Sequence, residues 1–391
     1  MRISNILRGP TASPASLPWL TPLKSAGLQR VARATGIQSS GTKAALLQRI
    51  QSTIQHGAVF QQTGPEKNSS DDWSILSIDM GIQNLAFAHL RAPNPVLKYQ
   101  KPGSQAQELP KLTDWRRLAV SEISSLDLAS ETEPASANSL FTALSYLQGQ
   151  KAKDAFSPDV YAANAYTLIT ALLSTYKPTH ILIERQRFRS GGGSAVQEWT
   201  LRVGVFEGML YAILHALRQE RGGYLSSLQV HGVEPKRVVR YWSEIDGAET
   251  AEAGASGKKK GSAREVKKAK IDLVGKWLAH SLISRENIGS VSNSAVITSK
   301  TESEVIREVS GLDGSETISI NPGAPAEQLA VAYVQKWQKQ NAKKKRSSEE
   351  AKASEIGKLD DLADCLLQGV TWYEWQVMRE RLFREGFEAL E

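Results

Sequence analysis

Apolar and polar positions alternate along this chain with two periods, and the period predicts each element. From Trp73 the run Ser74-Ile75-Leu76-Ser77-Ile78 predicts a strand closed by Asp79. A turn containing Gly81 follows, and Asn84–Leu90 predicts the second arm of a hairpin. Residues 91–114 are rich in Pro and Gln and predict a loop. Helical spacing from Ala155 to Tyr176 stops at Pro178, and a second apolar strand, Thr179-His180-Ile181-Leu182-Ile183, is closed by Glu184. Gly191–Gly193 predicts a hinge ahead of a helix from Ser194 to about Arg218. Leu225–Val233 predicts a further strand and Pro235 the start of another helix. A basic helix is expected over Arg264–His280, with Lys267, Lys268, Lys270 and Lys276. A later one starts at Lys358-Leu359-Asp360-Asp361-Leu362-Ala363-Asp364.

The N-terminal region has a different texture. Residues 20–56 predict an amphipathic helix through Val31 and Ala34, ended at Gly36-Ile37. A second helix begins at Gly41-Thr42-Lys43 and carries Leu46, Leu47 and Ile50. The pattern resembles the SAP motif, a DNA-binding helical hairpin; the resemblance makes Lys24, Lys43, Arg30, Arg33 and Arg49 phosphate contacts. Residues 1–18 are basic, Ser-containing and free of acids, the composition of a mitochondrial presequence. Residues 57–72 read as a linker and 73–391 as one domain. Within it, 246–262 and 284–325 are rich in Ala, Gly, Ser and acids and read as mobile insertions.

Composition narrows the class. No run of eighteen apolar residues occurs, so no membrane-spanning helix and no membrane partner are expected. The single cysteine, Cys365, excludes intrachain disulfides and cysteine-based zinc sites, and its apolar helical setting predicts a buried thiol. The six histidines lack zinc-binding spacing, and Gly191–Gly193 lacks the Lys-Ser/Thr of a phosphate-binding loop, so no small-molecule cofactor is expected. Residues 1–65 hold seven Lys/Arg and no acid; beyond them 41 basic residues meet 41 acidic ones. The net charge of +7 therefore lives in the N-terminal region, where a polyanion or an import receptor would be met.

The chemistry lies in the carboxylates. A carboxylate ending a buried strand is costly unless something cationic satisfies it. Asp79 and Glu184 would face each other if their strands are parallel neighbours. On the last helix Asp361 and Asp364 are three apart and Asp360 and Asp364 four apart, so either pair shares a face. Carboxylates gathered from separate elements make an oxygen cage for divalent metal. Two magnesium ions about 4 Å apart would supply what phosphodiester hydrolysis needs, with manganese a possible substitute. Each piece alone is weak, since Asp-rich helix starts are usually caps. The ordered conjunction carries the reading.

That order matches the ribonuclease H-like fold, an α/β mixed sheet flanked by helices. Ser77-Ile78-Asp79-Met80-Gly81-Ile82-Gln83-Asn84-Leu85-Ala86, Ile183-Glu184-Arg185-Gln186-Arg187-Phe188-Arg189-Ser190 and Asp360-Asp361-Leu362-Ala363-Asp364 resemble the fungal mitochondrial Holliday junction resolvases, the cruciform-cutting endonucleases. The resemblance spans residues 73–375. It implies a magnesium-dependent homodimer in the mitochondrial matrix that cuts four-way DNA junctions by paired, symmetric incisions. By position, Asp79, Glu184 and Asp364 match catalytic, metal-binding carboxylates; the fourth is Asp361 or Asp360. Arg185, Arg187 and Arg189 would clamp phosphates, Gln186 and Phe188 would meet unpaired bases, and Lys358 would stabilise the transition state. Two other readings remain: a ribonuclease on RNA–DNA hybrids, and a non-catalytic protein tethering mitochondrial DNA.

Overall fold

The computed structural model describes residues 17–62, 72–98, 109–120, 123, 157–186, 198–245, 263–289, 317–320, 324–343 and 350–390. They belong to two compact units, Met1–Lys67 with Glu374–Glu391, and Asn68–Tyr373.

The larger unit is built on a mixed sheet. Strands β1 (Asp72–Asp79) and β2 (Leu85–Pro93) form the expected hairpin, in register from Asp72↔Pro93 to Asp79↔Ala86. β3 (Lys111–Leu118) continues it antiparallel, with a bulge at His89/Leu90. β4 (His180–Glu184) runs parallel to β1, pairing Ile75↔His180 through Ile78↔Ile183, and β5 (Gln229–Val233) runs parallel to β4. A short edge strand, β6 (Ser319–Ile320), pairs parallel with β3. The order is β5-β4-β1-β2-β3-β6, the helix-flanked mixed sheet that the ribonuclease H-like resemblance implies. β1 is central and covered on both faces, so it reads as a continuous apolar run.

Each face has its own cover. Leu76, Ile78, Phe87, Ile181 and Ile183 pack against Leu168, Leu172, Phe206 and Leu210 of helices α3 (Pro158–Tyr176) and α4 (Glu198–Arg221). By length and composition α4 would also pass as a membrane span. Its Val203, Phe206, Leu210, Leu214 and Leu217 are instead buried in this core. Helices α5 (Pro235–Ile245), α6 (Ala263–Gly289) and α7 (Pro325–Lys343) precede the last helix, α8 (Glu350–Glu385). On the other face of the sheet, Gln368 of α8 donates to Ser77 Oγ at 3.0 Å and to the Ile78 carbonyl at 3.1 Å. Ser77, a polar residue within an otherwise apolar stretch of β1, is thus buried and satisfied. Gly369 permits that approach, because a Cβ there would lie 2.8 Å from Leu90 Cδ1 and 3.2 Å from Ser77 Cβ. Cys365 is the expected buried thiol, 3.3 Å from the indole nitrogen of Trp115.

Three expectations need correction. Residues 91–114 are not one loop: β2 runs to Pro93, a helical turn covers Pro95–Lys98, and β3 begins at Lys111. β3 was hidden because its polar residues are satisfied by tertiary partners: buried Asp114 is bound by Tyr176, and Arg117 by Asp361 at 3.0 Å. The segment Leu225–Val233 is a helical turn, Tyr224–Ser227, followed by β5; Gly222 and Gly223 at positive φ set up that turn. Within 284–325, α6 extends to Gly289, and Ser319–Ile320 are strand. The insertion 246–262, the Gly191–Gly193 hinge and residues 1–16 of the presequence lie outside the described residues.

The smaller unit contains two helices, α1 (Ser25–Ala34) and α2 (Lys43–Gln62), the second running past residue 56 into the segment read as linker. Leu28, Val31, Leu46, Ile50 and Ile54 share a core with Leu382 and Ala389. Gly36, at φ +66°, is needed twice over: its backbone is left-handed, and a Cβ would meet the Trp375 ring at 2.2 Å. Arg379 donates to the Thr35 carbonyl at 2.8 and 3.0 Å. Glu374–Glu391 thus packs with the hairpin, although the sequence pattern groups it with the nuclease domain.

Gly369→Val should lower stability by about 1–3 kcal/mol by forcing α8 off the sheet, read as a fall in Tm by differential scanning fluorimetry.

Candidate active site

Parallel pairing of β1 with β4 sets the site. Asp79 and Glu184 each follow the last paired residues, Ile78 and Ile183, so both carboxylates emerge at the same end of adjacent strands. Asp79 is 9% exposed. Its carboxyl is pushed well above the ordinary range, first by burial, then by a hydrogen bond and repulsion from Glu184, then by Asp364 and Asp361. Two carboxylates can share a hydrogen bond only by holding a proton between them.

α8 brings the remaining acids. Asp364 is pushed up to about 7, chiefly by burial; Lys270 opposes the shift and Asp360 adds to it. Burial also raises Asp361, against the pull of Arg117. Both repel Asp79. Asp360 is turned instead toward α6, 2.6 Å from Lys267 Nζ and 3.2 Å from Lys270 Nζ. Its Oδ1 is buried and makes no directed hydrogen bond despite the nearby ammonium. Asp361 and Asp364 are thus the helix acids whose charge reaches the strand carboxylates, while Asp360 is held by the lysines of α6.

Cations from distant elements already balance these acids. Lys270 Nζ lies 2.5 Å from Asp364 Oδ2. Arg117 Nε lies 3.0 Å from Asp361 Oδ2, and the same guanidinium donates to Asn84. Glu184 Oε2 accepts from the Met80 backbone at 3.4 Å and from Gln186 Nε2 at 3.2 Å. The Gln186 backbone N–H donates to Glu207 Oε2 at 3.1 Å, placing a further carboxylate, raised by burial, behind Glu184.

Among the described residues no three acids are disposed to hold a metal ion as they stand. The donor set nevertheless fits one: four carboxylates from three elements, one of them, Asp79, buried against its neighbours and pushed up by them, and lysine and arginine charges lodged against two others. Asp79, Glu184, Asp361 and Asp364 are the residues that would hold it.

Other expected contacts divide. Gln186 is spent on Glu184 and the Met80 carbonyl, 3.4 Å away, rather than turned to solvent. Arg185 is exposed, its stem against Gly232 of β5. Lys24 and Lys43 are exposed on the hairpin unit. Arg187, Phe188, Arg189 and the side chain of Lys358 lie outside the described residues. Arg117, Glu207 and the pairing of Lys267 and Lys270 with Asp360 and Asp364 were missed. Arg117 falls on the unrecognised strand β3, and no local spacing links Lys267 or Lys270 to acids some ninety residues away.

A carboxyl whose native pKa exceeds its unfolded value holds its proton more tightly when folded, so ionisation costs stability. The cost is absent below the unfolded value of 3.8 and accrues as pH rises through the native value, about 7 for Asp364. For Asp79→Asn, metal-free Tm should exceed that of the native chain by about 2–8 °C near pH 8 and match it near pH 4. Added magnesium or manganese should raise Tm of the native chain more than that of the variant.

Comparison with known proteins gives the context. The family described as mitochondrial resolvase Ydc2 / RNA splicing MRS1, catalytic region, matches residues 75–382. The chain is 27% identical over 231 residues to the mitochondrial cruciform cutting endonuclease 1 of Schizosaccharomyces pombe, covering 58% of this chain and 69% of that one. Among solved structures it is similar to the yeast mitochondrial Holliday junction resolvase Ydc2, with 20% identity, 94% and 99% coverage and a TM-score of 0.45. Thermus thermophilus RuvC with a Holliday junction substrate follows, at 12% identity, 69% and 96% coverage and a TM-score of 0.22. The assignment rests on the sequence match, not on these superpositions. Matched from β1 to the last turns of α8, the chain belongs to the mitochondrial resolvase Ydc2 / RNA splicing MRS1 catalytic family.

Proposed function

We propose that the chain is a mitochondrial, structure-selective endonuclease that resolves four-way DNA junctions by paired phosphodiester hydrolysis. The observation that carries this reading is the gathering of Asp79, Glu184, Asp361 and Asp364 at one end of the β1–β4 pair. When bound there, two magnesium ions supply nucleophile activation and charge neutralisation at the scissile phosphate. The chain's own residues bind and orient. Gln186 and the Met80 N–H fix the Glu184 carboxylate, and Arg117 with Asn84 fixes Asp361. Lys270 holds Asp364 until a stronger cation competes for it. Exposed Arg185, with Arg187, Arg189 and Lys358, meets the DNA backbone. The hairpin acts as a SAP-like duplex binder through Lys24 and Lys43, in keeping with the acid-free charge of residues 1–65. Those basic, acid-free first residues also support import into the matrix.

Paired cuts call for two active sites related by a two-fold axis, hence a homodimer. The outer side of α4 supports it, with Trp199, Leu201 and Val205 exposed by 39%, 47% and 48%. A second reading, RNA binding without cleavage, has one observation in its favour: half of the family description concerns RNA splicing.

Cleavage of a synthetic four-way junction, a linear duplex and an RNA–DNA hybrid separates the readings. The native chain with magnesium should cut the junction in paired opposite strands. Asp79→Asn, Asp361→Asn and Asp364→Asn should lose on the order of 10³-fold or more. Gln186→Ala and Asp360→Asn, which act through neighbours, should lose about 10- to 100-fold. Junction binding without any cutting would favour the tethering reading; hybrid cutting alone would favour the ribonuclease. In sedimentation, Leu201→Asp with Val205→Asp should shift the chain to monomer and turn paired cuts into single nicks.

A further inference from the structure

A cleft lies beside the acidic cluster that the hydrolytic reading does not use. Val238, Val239 and Trp242 of α5 face Ala269, Lys270 and Leu273 of α6 across a cavity of about 340 Å³. The volume falls within the roughly 300–1,000 Å³ of small-ligand sites. Among the described residues its walls are apolar apart from Lys270. That ammonium already faces Asp364 at 2.5 Å and Asp360 at 3.2 Å. The cleft therefore starts one side chain away from the site of hydrolysis.

Trp242 is a fixed wall. Its Nε1 donates to Thr371 Oγ1 at 2.6 Å, and the Trp277 ring meets it edge-on with centroids 4.7 Å apart. The same two helices carry Lys236, Arg240, Arg264 and Lys267 exposed to solvent. A polyanion approaching those charges would meet an apolar slot between them.

We infer that the α5–α6 cleft takes one unstacked base of the DNA substrate, seated so that its own phosphate lies at the carboxylate cluster. An anion does not suit the slot, since valine, leucine and alanine line it and Asp360 and Asp364 already occupy Lys270. A neutral aromatic group does. Stacking is interrupted at a junction centre, so a base is cheapest to extract there. The cleft would thus select the branched substrate by its loosened bases. The inference rests on the junction reading above.

The test uses the full chain in EDTA, which stops cleavage, and a four-way junction with 2-aminopurine placed in turn at each base flanking the crossover. Native protein should raise the emission at one position. Ala269→Trp, which fills the cleft from α6, should abolish that rise and weaken junction binding about 10-fold. If that variant does not fold, the native chain still decides the matter: 5-iododeoxyuridine at the responsive position should crosslink within residues 235–245 or 263–289. An emission rise that survives in folded Ala269→Trp, or crosslinks confined to other segments, overturns the inference and leaves the junction reading standing. Failure of the native chain to bind the junction removes both.

Discussion

Burial of the Asp79 carboxylate is the constraint around which the larger unit is arranged. The group ends the central strand, beneath α8 and beside β4, where water cannot solvate it. An isolated ion so placed is untenable, and a neighbouring carboxylate makes it worse. Yet the fold brings Glu184, Asp361 and Asp364 toward it. Such a cluster is stable only with protons, protein cations or metal ions among its members, and the structure shows the cations. Burial and the neighbouring Glu184 push the Asp79 carboxyl toward its protonated form, while Lys270 and Arg117 stand against the acids of α8.

The outlying elements acquire their reason from that balance. β3 extends the sheet and carries Arg117 to Asp361; α6 carries Lys267 and Lys270 to Asp360 and Asp364. Gln368 and Gly369 hold α8 close to β1, which keeps the helix acids within range of the strand acids. The same α6 that supplies the lysines forms one side of the apolar cleft, so one helix takes part in both neutralising the acids and shaping the slot.

Much of this was legible in the chain, for reasons that also mark where legibility ended. Strand ends and helix spacing are local, so Asp79, Glu184 and the acids of α8 could be picked out and their meeting expected from parallel strands. The choice between Asp360 and Asp361 could not, because both spacings put a pair on one helical face. Only the tertiary contact with Lys267 and Lys270 turns Asp360 away. β3 was unreadable because Asp114, Arg116 and Arg117 look like loop residues until Tyr176, Asp361 and Asn84 are seen to satisfy them. Gln186 was read as a DNA contact from its arginine neighbours, whereas the hydrogen bond to Glu184 makes it part of the site's framework.

The central claim is that these four carboxylates form a divalent-metal site and that Lys270 and Arg117 hold its place. A crystal of the full chain soaked in manganese, measured for anomalous scattering, addresses it directly. The account predicts anomalous density among Asp79, Glu184, Asp361 and Asp364, with Lys270 displaced from Asp364 and Asp360 still turned to α6. Absence of such density at saturating manganese, with Lys270 still on Asp364, would contradict it.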